Sequence, residues 1–234
     1  LSTPKNYFRN FVSFQNVRQE SRKSFGAAFC KRANPNLEMQ GERLKYWHSF
    51  LTSPHTAKQI NSCNYKTNYI ADRSNEDGPI SPEEAIGINF FEADSSYVVL
   101  ARVELLDQKD TLTMPTANGK QKDYVKYAYL HFELQGKTSK LLVFRSVRLM
   151  KNPLYRNALF LPFYDYSNGS MTYGGGRYMD LSINDIKDKT LILDFNRCYN
   201  PYCAYTTGYS CPIPPEENTI ELEILAGESA YGKK

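Results

Sequence analysis

Asp123–Leu134 reads DYVKYAYLHFEL and Lys140–Val147 reads KLLVFRSV, with Gly136-Lys137 between the two runs. In the first run Tyr124, Ala128, Leu130, Phe132 and Leu134 fall on one face, and Val125, Tyr127, Tyr129 and His131 on the other. That period of two belongs to a strand, and a glycine turn leading into a second apolar run predicts a hairpin. Working outward, Tyr97–Leu105 (YVVLARVEL) reads as another strand, and Asn118-Gly119 is a turn signal. Further strands are expected at Ala158–Phe163, Thr190–Phe195 and Thr219–Ala226. Short strands punctuated by Gly, Pro and Asn predict a mainly β fold, an antiparallel β-sandwich or partly closed barrel. With 18 Tyr and 13 Phe among 234 residues, the chain has the aromatic stock that a pleated, half-buried surface uses.

Ahead of this region the pattern changes. Residues 1–79 predict a helical, basic N-terminal extension, and residues 80–234 the β-rich domain. Phe8, Phe11, Val12, Phe14 and Val17 suit an amphipathic helix. A second helix is expected from Asn34-Pro35-Asn36 through Leu37, Leu44, Trp47 and Leu51, ending at Ser53-Pro54. His55–Pro79 is polar and reads as a long irregular connection. Ser81-Pro-Glu-Glu84 has the form of a capping box and predicts a short helical turn. Net charge is only +4, but from Leu1 to Arg32 seven basic residues face one acid, an excess of 7 − 1 = +6. Such an arm could grip an acidic protein partner, an anionic membrane surface or RNA. No apolar run is long enough to span a bilayer, and the N-terminus lacks an apolar signal core. The Arg-rich, acid-poor start has some of the character of a mitochondrial transit peptide.

Two stretches carry chemical signals. In Leu159–Leu181, Thr172-Tyr-Gly-Gly-Gly-Arg-Tyr178 is followed by Asp180. Gly174, Gly175 and Gly176 permit close backbone approach, but no phosphate-loop ending follows them. Arg177 could hold an anionic ligand bidentately, with Tyr173 donating and Asp165 or Asp180 orienting the guanidinium. Alternatively Arg177 pairs with Asp165, Asp180 or Asp194 inside the domain and pins a loop. The second stretch, Leu193–Asn218, is a Pro-rich loop crowded with Asn196, Asn200 and Tyr205. Asn side chains cap irregular backbone, and such a loop is either a packed lid or a binding surface.

Five cysteines are present, Cys30, Cys63, Cys198, Cys203 and Cys211. An odd count argues for a reducing interior, although Cys203 and Cys211 have the look of a framework pair. They read as a disulfide or as two reduced structural thiols. A metal site is not expected, because the spacings of five and eight lack a nearby histidine and the usual close ligand pairs. A nucleophilic Cys203 would need an adjacent base, and the three histidines lie elsewhere in the chain. No cofactor motif is found.

Gly87-Ile-Asn-Phe-Phe91, Met114-Pro-Thr116, Tyr124-Val-Lys-Tyr127 and Leu159-Phe-Leu-Pro-Phe163 form a recognisable set. Thr172–Tyr178, Asp194-Phe-Asn196, Tyr199-Asn-Pro201, Cys203-Ala-Tyr205, Cys211-Pro212, Pro214–Asn218 and Ala226-Gly-Glu228 extend it. Together they resemble the domain-of-unknown-function family DUF-1684 of bacteria and archaea, over about residues 80–228. That resemblance implies a domain and no particular activity. Tyr202 stands where the family suggests Pro, and residues 1–79 exceed the family counterpart. An enlarged basic arm on a compact domain leads to the expectation of a non-catalytic accessory subunit of a larger assembly, with other subunits bound through residues 1–79. A mitochondrial matrix-side complex or a bacterial envelope would suit it, and nucleic acid is not expected. The alternative is an enzyme or anionic-ligand domain whose site lies between the Thr172–Asp180 segment and the Asn196–Cys211 loop.

Overall fold

The computed structural model describes residues 65–107 and 110–232. Both expected helices, including the second with its end at Ser53-Pro54, lie outside this range. The chain divides into two compact units at Pro82/Glu83. In the first, residues 65–73 are helical where an irregular connection was expected. Tyr65 and Tyr69, four apart, have ring centroids 6.0 Å apart. Arg73, four further on, lies 3.9 Å over the Tyr69 ring. These i,i+4 pairs stabilise a helix through aromatic and cation–π contacts, so its polar composition concealed it.

The second unit is an antiparallel sheet curled into a half-barrel. Its strands are β1 (Val98–Leu105), β2 (Thr111–Pro115), β3 (Gln121–Leu134), β4 (Lys137–Ser146), β5 (Ala158–Asp165), β6 (Arg177–Ser182), β7 (Thr190–Asp194) and β8 (Thr219–Ile220). The order is β6-β5-β4-β3-β1-β7, with β2 also on β3 and β8 on β5. The opening helical turn forms at Glu84–Gly87 with Glu83, not Ser81, at its N-cap.

The β3–β4 hairpin forms as its alternation predicts, with one correction. Between Lys126 and Ala128 the register slips by a bulge. An extra residue reverses which face the strand presents. Tyr124 therefore packs with Met114, Leu142 and Phe144, whereas Ala128, Leu130, Phe132 and Leu134 pack on the opposite face with Leu141 and Val143. One edge of β3 consequently serves two partners, β2 before the bulge and β1 after it. All four apolar residues of β4, Leu141–Phe144, are fully buried. That continuous apolar run marks a strand covered on both faces.

The main core lies on the concave face, where Phe163 and Phe132 flank Phe195 at 5.8 and 5.7 Å. Two strands escape the sequence reading, β2 and β6. The latter begins on a buried arginine, which interrupts its apolar alternation of Met179 and Leu181. The expected strand Thr219–Ala226 shrinks to β8, which runs parallel to the end of β5. Within that stretch Ile220, Ile224 and Ala226 are nonetheless buried in the main core. Beyond Ile220 the Leu222 carbonyl still accepts from the Tyr166 amide at 3.0 Å, and over Ile224–Ala226 side chains bind the backbone in place of a neighbouring strand.

Candidate functional site

Asp165 closes β5 and Arg177 opens β6. Arg177 lies directly across from Phe163, and side chains alternate along β5, so Asp165 and Arg177 project to the same concave face. Arg177 Nη2 donates to Asp165 Oδ2 at 2.8 Å, and both side chains are completely buried. The same nitrogen donates to the Ile224 carbonyl at 2.7 Å, and Nη1 reaches the carbonyls of Ala226 and Glu228. Asp165 Oδ1 accepts from the Ile224 amide at 3.1 Å and from the Ser167 amide at 2.9 Å. Ion pair and backbone thus clasp residues 224–228 from both polarities. A buried charge pair of this kind survives because most of its remaining hydrogen-bonding capacity is used, although the buried Arg177 Nε has no partner.

The clasped segment binds the cysteine-bearing loop in turn. Glu228 is fully buried. Its carboxylate accepts from the Asn200 amide at 2.8 Å and from the Tyr205 hydroxyl at 2.6 Å. Asn200 Nδ2 donates to the Ser229 carbonyl at 2.8 Å, and the Glu228 amide donates to the Cys198 carbonyl at 2.9 Å. Gly227 has φ +75°, and a Cβ there would sit 2.6 Å from the Cys198 carbonyl oxygen. Only glycine satisfies both demands. Burial pushes the Cys198 thiol up to about 12, so it stays protonated and unreactive in the folded domain.

The glycine segment and the loop meet directly. Tyr178 and Tyr199 exchange backbone hydrogen bonds of 2.9 and 3.0 Å, and the Tyr173 hydroxyl reaches the Cys203 carbonyl at 3.4 Å. Of the three consecutive glycines only Gly176 has positive φ, +82°, and a Cβ there would sit 2.7 Å from the Pro214 ring and 2.9 Å from the Phe163 carbonyl oxygen. Gly174 and Gly175 lie on the outer run of the bend, where a Cβ on Gly175 would strike the Tyr173 ring. Cys203 and Cys211 are joined as a disulfide.

Among the proposed site residues, Asp165, Arg177, Asn200, Tyr205, Tyr173, Cys203 and Cys211 belong to this connected seam. Asp180 and Asn196 do not join it. Asp180 alternates to the opposite face of β6, beside Tyr124, whose hydroxyl is raised above its ordinary range by burial first and by the Asp180 charge second. Asn196 instead ties the entry to β1, exchanging hydrogen bonds of 2.9 and 2.8 Å with the Asp94 backbone.

Two residues with central roles were missed. Glu228 sits in the Ala226-Gly-Glu228 motif but has no local pattern that announces burial. Asn218 lies between β4 and β5, whose ladder is reduced to the pair Phe144–Phe160 because Pro162 has no N–H to offer. Its carboxamide accepts from the Leu142 amide at 2.7 Å and donates to the carbonyls of Leu142 and Pro162 at 2.8 Å. A side chain here replaces a stretch of strand pairing.

On the opposite face Tyr124 stacks on Phe160 at 5.4 Å, and Phe160 meets Tyr178 edge-on at 4.8 Å. The Tyr178 hydroxyl donates to the Pro212 carbonyl. Lys122 donates to the Ser210 carbonyl, and burial with crowding by Arg148 and Lys120 pulls its ammonium down to about 8. Among the described residues no group of three His, Cys, Asp or Glu side chains is arranged to hold a metal. No helix among them is long and apolar enough to cross a membrane.

Fold and seam together define a β half-barrel whose C-terminal segment is clasped by a buried Asp–Arg pair. Residues 84–229 match the family described as "Protein of unknown function (DUF1684)", which spans well over half of the chain. The chain belongs to that family. It is also similar to the solution NMR structure of an uncharacterized protein from gene locus rrnAC0354 of Haloarcula marismortui. The two are 32% identical with a TM-score of 0.53, and the likeness covers 72% of this chain and 96% of that one. No curated protein matches the chain.

Proposed function

We propose that this chain is a non-catalytic accessory subunit of a larger protein assembly, with the family domain as a rigid scaffold and residues 1–79 as the docking arm. The observation that carries this reading is the commitment of Arg177. Both terminal nitrogens of the guanidinium are bound inside the domain, to Asp165 and to three carbonyls of residues 224–228. An anionic ligand at Arg177 would have to displace those bonds in a fully buried place, where an uncompensated charge is costly. The other reactive candidates are similarly occupied. Cys203 is in a disulfide, the Cys198 thiol is buried and protonated, and His131 faces Glu104 at 2.6 Å on the outer surface. The basic excess of residues 1–32 supplies the complementary feature, a cationic and Phe-bearing arm suited to an acidic protein surface.

Size-exclusion chromatography of a native extract, followed by cross-linking mass spectrometry, tests this. The expected result is elution well above the monomer mass, with cross-links from Lys5, Lys23 and Lys31 to other polypeptides. Elution as a monomer, with cross-links confined to the chain itself, would overturn the reading.

A further inference from the structure

Cys203 and Cys211 bound a loop whose two ends are held in different ways. The Cys211 end is stitched to the β2–β3 hairpin. The Ala117 amide donates to the Cys211 carbonyl and the Ile213 amide to the Pro115 carbonyl, each at 2.9 Å. Asn118 Nδ2 donates to Ser210 Oγ at 2.9 Å, and Lys122 holds the Ser210 carbonyl. The Cys203 end is a single 3-10 turn, Tyr202–Ala204, whose backbone bonds are local. Its ties to the rest of the domain include the long Tyr173–Cys203 bond, the Tyr205–Glu228 bond, an edge-on contact of the Tyr205 ring with Tyr231 at 5.0 Å, and the disulfide. Tyr202 and Tyr209 add a ring contact at 5.0 Å across the loop.

The geometry points to a redox-controlled clasp. With the disulfide formed, the turn is tethered to the hairpin, Tyr205 is held on Glu228, and the seam between Asn200 and Glu228 is shut. A dithiol reductant transfers two electrons and two protons to the Cys203–Cys211 bond, which breaks to give two thiols while the dithiol closes to its own disulfide. The Cys211 end stays on its hairpin bonds. The Tyr202–Tyr205 turn loses its strongest tether, and a buried carboxylate gains hydration when the phenol lifts away. Reduction therefore opens a polar cleft lined by Asn200, Tyr205, Glu228 and Ser229. This device is independent of the docking reading above, because it concerns the family domain alone.

Hydrogen exchange followed by mass spectrometry on the full chain tests it, oxidised and then reduced with dithiothreitol at one pH. Amides at Asn200, Thr206 and Ser229 should exchange at least about tenfold faster after reduction, with β3 and β4 unchanged, as in a local opening. Cys211→Ser should reproduce the reduced pattern without reductant. Tyr205→Phe should accelerate Asn200 and Ser229 with the disulfide intact. Unchanged exchange at Asn200 and Ser229 after reduction would overturn the proposal. So would acceleration throughout β3 and β4, which would make the bond a global staple, or a silent Tyr205→Phe.

Discussion

Arg177 and Tyr178 are adjacent in the chain and work on opposite faces of one strand. Arg177 points to the concave side and binds residues 224–228 through an ion pair and backbone carbonyls. Tyr178 points outward, packs edge-on against Phe160, and holds Pro212 through its hydroxyl. Both residues pin an irregular segment to the sheet, yet by different physics. On the inner face, the penalty for leaving charges and carbonyls unmet sets the energy, so removing one partner exposes the others to that penalty. On the outer face, ring area dominates and the polar contribution is one hydroxyl bond. The inner face is therefore brittle and the outer one tolerant.

The largest effect should come from Arg177→Met. It leaves Asp165 charged, buried and without its cation, at a cost of about 3–5 kcal/mol. Chemical denaturation should show that loss, and adding Asp165→Leu should return only the charge penalty, because the Ser167 and Ile224 amides and the Ile224 and Ala226 carbonyls stay without their partners. If Arg177→Met costs no more than Tyr178→Phe, the distinction between the faces fails.

A second test asks whether the inner-face rule extends to the sheet itself. Asn218→Ala strands the Leu142 amide and two carbonyls, and should cost at least about 3 kcal/mol. Urea midpoints measure it. A loss under about 1 kcal/mol would mean that water takes the place of the carboxamide.

The smallest effect is a pH dependence that separates the faces by sign. Lys122 on the outer face is pulled down to about 8 from 10.5. Between those values the unfolded chain binds more protons, so this residue makes stability rise with pH. Cys198 on the inner face is pushed up to about 12 from 9.0, so above pH 9 the folded state holds the extra proton and stability falls. Thermal melts of Lys122→Met should lose the rise from pH 8, and those of Cys198→Ala should lose part of the fall above pH 9. Identical pH profiles for wild type and both variants would remove this contrast.

The amino-acid order alone determined the β-rich class and the β3–β4 hairpin. These follow from a period of two and from turn chemistry, which act over a few residues. Only tertiary structure decided which of three aspartates Arg177 would meet, because that depends on the register of β5 against β6. It likewise decided the face of Tyr124, since a bulge is a compromise between two neighbouring strands, β1 and β2, sharing one edge. The roles of Asn218 and Glu228 arise where Pro162 interrupts a ladder and where a loop folds over a clasped segment. Those are meetings of residues far apart in the chain, and no local pattern encodes them.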